Sequence, residues 1–283
     1  MPPPIVAYLG PAKTNTHLAA LKRFGSRARY VHAPTVEDVF QAVEREQADF
    51  GVVPIENSLE GAVAHTLDRF IDFKQSPARI CGEIEMPIRH CLLTLPKTRR
   101  EEVRVVFSHP QALAQCRRWL DRNFPHVTRR ETRSTAEAAE ELLRKASTLW
   151  PAGQRAAIGS RELAREHRLL AMPIPVGRDN RTRFLVISLR SPAAGRRSKT
   201  SVMFALKDKP GALLDALTPF KRNRINLTKI ESRPSKQKAW EYLFFVDLEG
   251  AESEPRVRRA LEALRRSTAG MRVLGSYPVG SGS

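Results

Sequence analysis

The chain of 283 residues has few cysteines, few aromatic residues and no long apolar run. Its three cysteines, Cys81, Cys91 and Cys116, are an odd number and form no Cys-x-x-Cys pair, which argues against a disulfide framework and a cysteine-rich metal site. No apolar stretch approaches the roughly 18 residues that a membrane-spanning helix needs. Residues 1–5 lack the features of a signal peptide. These absences predict a cytoplasmic protein with reduced thiols.

Basic residues are in excess, with 48 lysines and arginines against 30 aspartates and glutamates, a formal net charge of +18. Nucleic-acid-binding proteins concentrate such charge in stripes interleaved with aromatic residues. Here aromatics make up only 7% of the chain, and basic residues often lie beside glutamate, as in residues 161–166. We interpret the charge as a solvated surface whose field can attract an acidic substrate. A nucleic-acid-binding regulator remains an alternative that rests on charge alone.

Strand and helix signals alternate through the first two thirds of the chain, which predicts an α/β fold with mainly parallel strands. We expect one lobe from about residues 1–77 plus 160–190 and a second lobe from about 78–159. Segments that cross between two lobes create a cleft, where ligands bind at the carboxyl ends of the strands.

The last third of the chain is predicted to be a separate unit. Residues 191–199 have the composition of a linker. Residues 200–278 then show strand and helix signals in the order βαββαβ, which is the ferredoxin-like arrangement.

Polar groups follow the predicted strand 50–55. Glu56, Asn57 and Ser58 place a carboxylate, an amide and a hydroxyl before a predicted helix, whose free N–H groups suit a carboxylate ligand. Simple helix capping by Asn57 or Ser58 is the alternative.

Residues 107–116 repeat this pattern. Ser108 can cap a helix, and Gln111 and Gln115 share one helical face. His109 is either a general base or a hydrogen-bonding residue at the helix start. Two helix N-termini facing each other across a cleft would suit a molecule with two carboxylates.

A hydroxyl flanked by two guanidinium groups precedes the apolar strand 185–187. Thr182 lies between Arg181 and Arg183, which suits a small acidic substrate. A structural salt bridge is the alternative for Arg183.

Together these segments resemble the signature blocks of prephenate dehydratases, in the order and spacing of that family. The matching blocks are residues 51–58, 108–111 and 182–184, with a further similar segment at 86–92. Two later segments resemble the motifs of the regulatory ACT domain: Gly211–Leu214 and Glu231–Pro234. The resemblance extends from Tyr8 to about Tyr277.

The resemblance implies a two-lobed, periplasmic-binding-protein-like catalytic domain followed by an ACT domain. It implies decarboxylating dehydration of prephenate to phenylpyruvate without metal or cofactor, and phenylalanine as an effector of a homodimer or homotetramer. Thr182 corresponds to the family's catalytic threonine, and Glu56 is an alternative acid if its pKa is raised by burial.

The residues expected to bind substrate are Thr14, Asn57, Ser58, Ser108, Gln115 and Arg183. Those expected to bind phenylalanine are Gly211, Ala212, Leu213, Leu214, Glu231, Ser232, Arg233 and Pro234.

The first loop departs from the family pattern Gly-Pro-Glu-Gly-Thr-Phe. Ala12, Lys13 and Asn15 replace its glutamate, glycine and phenylalanine, and lysine adopts φ > 0 less readily than glycine. Two alternatives therefore stay open: an arogenate dehydratase, and a catalytically impaired homologue that senses an amino acid. Because no segment resembling chorismate mutase precedes the catalytic part, we expect the monofunctional form.

Overall fold

Three β-sheets organise the part of the chain that the structure, a computed structural model, describes. That part comprises residues 2–71, 76–144, 149–176, 179–190, 195, 197–235 and 241–279. Of the predicted linker 191–199, residues 191–194 and 196 lie outside the described residues.

The first strands and helices follow the predicted alternation. They are β1 (Ile5–Leu9), α1 (Asn15–Phe24), β2 (Arg29–Ala33), α2 (Val36–Glu44), β3 (Phe50–Asn57), β4 (Gly61–Ala62) and α3 (Ala64–Ile71). Gly25, at a φ of 69°, ends α1. Thr35 and Asp38 form a reciprocal capping box at the start of α2.

The chain then crosses into a second lobe and returns. The elements are β5 (Arg79–Pro87), β6 (Cys91–Thr94), β7 (Val105–Ser108), α4 (Pro110–Asn123), β8 (Thr128–Glu131), α5 (Thr135–Leu143), β9 (Arg155–Gly159), α6 (Arg161–Glu166), β10 (Leu170–Pro173) and β11 (Arg181–Ser188).

The C-terminal part has the predicted βαββαβ order. Its elements are β12 (Ser198–Ala205), α7 (Ala212–Arg222), β13 (Leu227–Pro234), β14 (Tyr242–Glu249), α8 (Pro255–Ser267) and β15 (Gly270–Pro278). The four strands form an antiparallel sheet in the order β13-β14-β12-β15, and both helices pack on the core beneath it.

The two N-terminal sheets are mixed, so the prediction of mainly parallel strands was wrong. The first sheet has the order β2-β1-β3-β11-β5, with β4 beside β3. Its β1 is parallel to β2 and β3, but β11 is antiparallel to both of its neighbours because it returns from the second lobe. The second sheet, β10-β6-β9-β7-β8, combines parallel β7, β8 and β9 with antiparallel β6 and β10.

Strand pairing also places two segments differently from the expected lobe boundaries. The strand 79–87, expected in the second lobe, pairs with β11 in the first sheet. The strand 170–173, expected in the first lobe, pairs with β6 in the second sheet. The chain therefore crosses between the sheets after Pro87 and returns after Pro173, before β11 begins at Arg181.

The C-terminal domain packs directly against the first sheet. One continuous core joins Leu243, Phe245 and Leu274 to Ile80 and Leu185. Gly275 lies so close to β5 that a Cβ atom there would be 2.1 Å from the carbonyl oxygen of Ile80. The two units thus share buried apolar surface as well as a peptide connection.

Among the described helices, none is both long and apolar enough to span a membrane.

Candidate active site

The centre of the site is a hydrogen bond between two neighbouring strands of the first sheet. Thr182 in β11 lies opposite Asn57 in β3, and the Asn57 Nδ2 atom donates to the Thr182 Oγ1 atom over 2.9 Å. Asn57 is buried, whereas Thr182 is half-buried. Because this bond occupies a lone pair of the hydroxyl, the proton of Thr182 is directed to a different acceptor.

Further amides connect this pair to the second lobe. Asn57 Nδ2 also donates to Asn180 Oδ1 over 2.8 Å, and Asn180 Nδ2 donates to Gln115 Oε1 over 2.9 Å. Gln115, on α4, approaches Asn57 Oδ1 through its Nε2 atom at 3.5 Å. The predicted convergence of Asn57, Gln115 and Thr182 is thus present, and it bridges both lobes.

Two residues of this network were not among the predicted site residues. His90 Nε2 lies 2.7 Å from Gln115 Oε1, and only 6% of His90 and 2% of Asn180 is exposed. Both lie in the segments that cross between the sheets, His90 before β6 and Asn180 before β11. A polar residue in each crossing segment was the signal that could have identified them.

A cavity of ≈ 800 Å³ adjoins the network between the lobes. Asn15 of the first lobe, Arg161 of the second and Arg89 of a crossing segment line it, as do His90 and Asn180. Its arginines suit an anionic ligand, because guanidinium groups bind carboxylates with paired hydrogen bonds.

The helix predicted directly after Ser58 is absent from this position. Asn57 Oδ1 instead accepts from the backbone N–H groups of Leu59 and Glu60, at 3.0 and 3.2 Å. This side-chain turn leads through Gly61, at a φ of 82°, to the short strand β4. The anion site expected at that helix start is therefore wrong.

Glu56 is not placed to act as an acid. Burial alone would raise its pKa, but the charge of Arg183 and contacts with Arg183 and Lys229 outweigh burial and hold the pKa below its ordinary value. Arg183 Nε donates to Glu56 Oε1 over 2.6 Å, and Lys229 Nζ binds Glu56 Oε2. The carboxylate is ionised and faces the C-terminal domain, so the raised pKa on which its alternative role as an acid depends is absent.

Arg183 likewise faces away from the cleft. Besides Glu56, its guanidinium contacts Glu83 at 3.1 Å and Asp247 at 2.7 Å, and Lys199 also binds Glu83 at 2.9 Å. These contacts support the alternative of a structural salt bridge, and the predicted binding of substrate by Arg183 stays a prediction. We call these residues, together with Lys229, the interdomain ion cluster: it contains three cations and three carboxylates.

Ser108 is fully buried, and its hydroxyl donates to the Ile158 carbonyl over 2.8 Å. This bond joins β7 to β9 and gives Ser108 a structural role, while its predicted contact with substrate stays a prediction. Its neighbour His109 caps α4, with Nδ1 accepting from the Gln111 N–H. His109 is thus a hydrogen-bonding residue at the helix start, which was one of its two predicted roles.

Ser58 and Thr14 organise loops beside the site. The Ser58 hydroxyl donates to the Asp179 carbonyl over 2.6 Å and accepts from the Arg181 N–H over 3.0 Å. Thr14 caps α1, and its hydroxyl donates to the Leu9 and Pro11 carbonyls. Neither contact tests the predicted binding of substrate.

Lys13 in the atypical first loop adopts a φ of 64° despite its side chain. Its backbone N–H donates to His17 Nδ1 over 2.9 Å, and its ammonium lies 3.9 Å from Glu166 of the second lobe. The substitution therefore places a weak, solvent-exposed ion pair across the cleft.

The residues expected to bind the effector lie in two places. Gly211, at a φ of 77°, precedes α7, and residues 211–214 line a groove of ≈ 640 Å³ together with Tyr242. Residues 231–234 lie on the edge strand β13, where Arg233 also contacts Asp68 of the first lobe at 3.2 Å. Residues 231–234 are not among the residues that line this groove.

Family models match two parts of the chain. The model described as prephenate dehydratase matches residues 6–192, and the ACT domain model matches residues 200–266. The boundary between the two matches falls where the chain passes from β11 to β12.

Individual relatives are similar over nearly the whole chain. A bifunctional chorismate mutase/prephenate dehydratase of Aquifex aeolicus is 49% identical over 96% of this chain and 73% of its own length. An arogenate dehydratase/prephenate dehydratase 2 of Arabidopsis thaliana is 36% identical over 97% of this chain and 72% of its own. A crystal structure of prephenate dehydratase in complex with L-Phe, from Arthrobacter aurescens, has a TM-score of 0.86 and 34% identity over 97% of this chain and 90% of its own. From these matches, the chain belongs to the prephenate dehydratase family.

Proposed function

We propose that the protein converts prephenate to phenylpyruvate, CO2 and water, with Thr182 as the catalytic residue. The observation that carries this proposal is the hydrogen bond from Asn57 Nδ2 to Thr182 Oγ1. Since Asn57 donates, the hydroxyl of Thr182 is available to donate to a substrate oxygen in the cleft.

In the proposed reaction the C–C bond to the ring carboxylate breaks, and CO2 leaves. The electron pair of that bond enters the ring as the opposite C–O bond breaks, so that the ring becomes aromatic. The leaving oxygen takes its electron pair and a proton from solvent, giving water. Thr182 stabilises the developing charge on this oxygen by a hydrogen bond, because a threonine hydroxyl is too weak an acid to give up its proton freely.

Asn57 and Gln115 position the site rather than react. Their amides hold Thr182 and join the two lobes, so closure of the lobes on a substrate would align it with Thr182. We propose that Arg89 and Arg161, which line the cavity, neutralise the substrate carboxylates in place of Arg183. Thr14 and Ser58 shape the adjoining loops.

The test is a comparison of substrates. Purified protein is incubated with prephenate or arogenate, and formation of phenylpyruvate or phenylalanine is followed. Turnover of prephenate at the higher kcat/KM supports the proposal. A preference for arogenate would identify the rival activity, and binding of either substrate without turnover would identify a sensing homologue.

We further propose that L-phenylalanine regulates the enzyme through the C-terminal domain of a homo-oligomer. Residues 211–214 line a groove at the start of α7, while residues 231–234 lie on the edge strand β13. A second copy that pairs along β13 would bring the two segments together. Leu214 and Ile230, which are 71% and 48% exposed, supply apolar surface for this contact.

Sedimentation and turnover, each measured with increasing phenylalanine, test this regulation. A larger species together with slower turnover supports it. An unchanged rate and an unchanged sedimentation coefficient would contradict it.

The proposed domain division follows the strand pairings. Residues 1–190 form the catalytic domain, whose second lobe comprises about 91–173, and residues 198–278 form the regulatory domain. We also propose a cytoplasmic location, since all three cysteines are free and buried.

A further inference from the structure

We propose that His90 is a positioning residue, whose Nε2–H fixes the orientation of the Gln115 amide and so docks the second lobe on the Asn57–Thr182 pair in a single arrangement. This inference rests on the proposed function of Thr182. It concerns a residue that makes no contact with Thr182 itself and acts through Gln115.

The partners of Gln115 fix the direction of its hydrogen bonds. Its Oε1 atom faces two groups, Asn180 Nδ2 at 2.9 Å and His90 Nε2 at 2.7 Å. An amide NH2 can only donate, so the atom that faces Asn180 must be the oxygen. The same oxygen can only accept, so His90 must carry its proton on Nε2.

A rotated Gln115 amide would lose these hydrogen bonds. If Gln115 turned by 180° about its last bond, its NH2 group would face Asn180 Nδ2 and His90 Nε2–H. Two donor–donor contacts would replace two hydrogen bonds in a buried place, where an unpaired polar group is destabilising. His90 therefore adds a second contact, beside that of Asn180, that favours the amide orientation in which Gln115 Nε2 faces Asn57 Oδ1.

The orientation of the Gln115 amide also affects Thr182, through Asn57. Asn57 Oδ1 already accepts from two backbone N–H groups of the turn after β3, so Asn57 presents its NH2 to Thr182. Only a Gln115 that presents its own NH2 to Asn57 Oδ1 is compatible with this arrangement. His90 at one end of the network and the turn at the other thus favour the same direction of hydrogen bonding, in which the Asn57 NH2 donates to Thr182. The proton of the Thr182 hydroxyl can then be donated to a ligand in the cleft.

The surroundings of His90 suit a fixed neutral imidazole. The side chain is buried in the crossing segment, and its backbone carbonyl accepts from the Ile174 N–H of the other crossing segment over 2.9 Å. Burial lowers the pKa of His90, more than the bond to Gln115 raises it. A neutral ring has a single N–H, and the geometry puts it on Nε2.

The kinetic test compares His90→Leu with His90→Gln, because glutamine presents an N–H at a similar distance from the backbone. We expect His90→Leu to lower kcat by about 10- to 100-fold, as for other losses of alignment, with a small change in KM. His90→Gln should keep most of the wild-type kcat. An unchanged kcat in His90→Leu, or an equal loss in both variants, would overturn the proposal.

A second comparison tests the route through Gln115. In a Gln115→Met background, His90→Leu should add little further loss, since the group that it orients is already absent. Fully additive losses would show that His90 acts elsewhere.

A measurement on the wild-type protein remains decisive if His90→Leu fails to fold. With 15N-labelled histidine, long-range 1H–15N spectra report which ring nitrogen carries the proton, and His90→Gln assigns the signal. A protonated Nε2 with a bare Nδ1 supports the proposal, and a bare Nε2 refutes it. Because this readout needs no activity, it separates failure of the inference from failure of the proposed function.

Discussion

Thr182 and Arg183 are consecutive residues of β11 whose side chains lie on opposite faces of the first sheet. Thr182 binds Asn57 on the side of the cleft, whereas Arg183 binds Glu83 and Asp247 at the interface with the C-terminal domain. Successive side chains of a strand alternate in this way. One strand therefore carries both the hydroxyl proposed to act in catalysis and an ionic contact with the C-terminal domain.

The neighbouring strand β3 shows the same alternation of side chains between the two faces of the sheet. Asn57 pairs with Thr182, and its neighbour Glu56 pairs with Arg183. Lys229, which binds Glu56, lies in β13 two residues before the segment 231–234. A shift of β13 on binding an effector would thus reach the backbone that holds Asn57 and Thr182.

Replacement of Thr182 tests its role in the chemical step. Thr182→Val removes the hydroxyl with little change in volume, and we expect kcat to fall by about 10²–10⁴-fold while substrate binding is largely kept. Steady-state kinetics and a separate binding measurement distinguish the two effects. Thr128→Val, on an exposed strand of the second lobe, is the matched control. A Thr182→Val enzyme with normal kcat would disprove the catalytic assignment.

Replacement of Asp247 tests communication between the domains. Asp247→Asn removes one carboxylate from Arg183 at the interface without touching the cleft. We expect phenylalanine to inhibit at least about fivefold less potently, within the usual range of coupling free energies, and basal kcat to be kept. Inhibition curves at fixed prephenate measure the change.

Lys221→Met, an exposed change on α7, controls for loss of charge in the same domain. If Asp247→Asn and Lys221→Met respond to phenylalanine like the wild type, the ion cluster does not transmit the signal.

The ionised state of Glu56 predicts a pH dependence of stability. Since its pKa is lower in the folded protein than the ordinary 4.5, Glu56 stabilises the fold above the unfolded-state pKa and loses this effect as the pH falls through the folded-state pKa. Urea unfolding from pH 7 to the acid range should show the loss. Glu56→Gln should be less stable at pH 7 and show a shallower decline, unlike the exposed control Glu60→Gln. Parallel pH profiles for all three proteins would contradict the pairing.

The cysteines should be unreactive in the folded protein. Burial raises the pKa of Cys81 to about 12, against a smaller opposing effect of Arg23, and burial likewise raises that of Cys116 to about 12. Thiols rather than thiolates are therefore present at pH 8. A chromogenic thiol reagent should label no Cys81 or Cys116 until denaturant is added, and rapid labelling of the native protein would refute this burial.

Local patterns of the sequence predicted most of the fold. The alternation of strands and helices in the first two thirds of the chain and the βαββαβ order of residues 200–278 were each confirmed. These features depend on neighbours within a few residues, which a single sequence shows. The direction of β11 was not predicted, because it depends on where the chain re-enters the sheet.

The site residues divide in the same manner. Asn57, Gln115 and Thr182 meet as expected, whereas Glu56 and Arg183 were predicted for the cleft although they bind the C-terminal domain. Alternation along a strand decides which of two adjacent polar residues faces which side, and the sequence does not show which side is the cleft. The partners Lys229 and Asp247 are distant in sequence, so nothing local indicated them.

The contact between Gly275 and the backbone of Ile80 limits how the enzyme can be freed from feedback control. Cutting the chain near residue 190 would uncover the apolar residues that β5 and β15 now shield from each other, and the resulting fragment would tend to aggregate. A deregulated yet well-behaved enzyme is better sought through single exchanges on the groove beside α7 than by removing the last ninety or so residues.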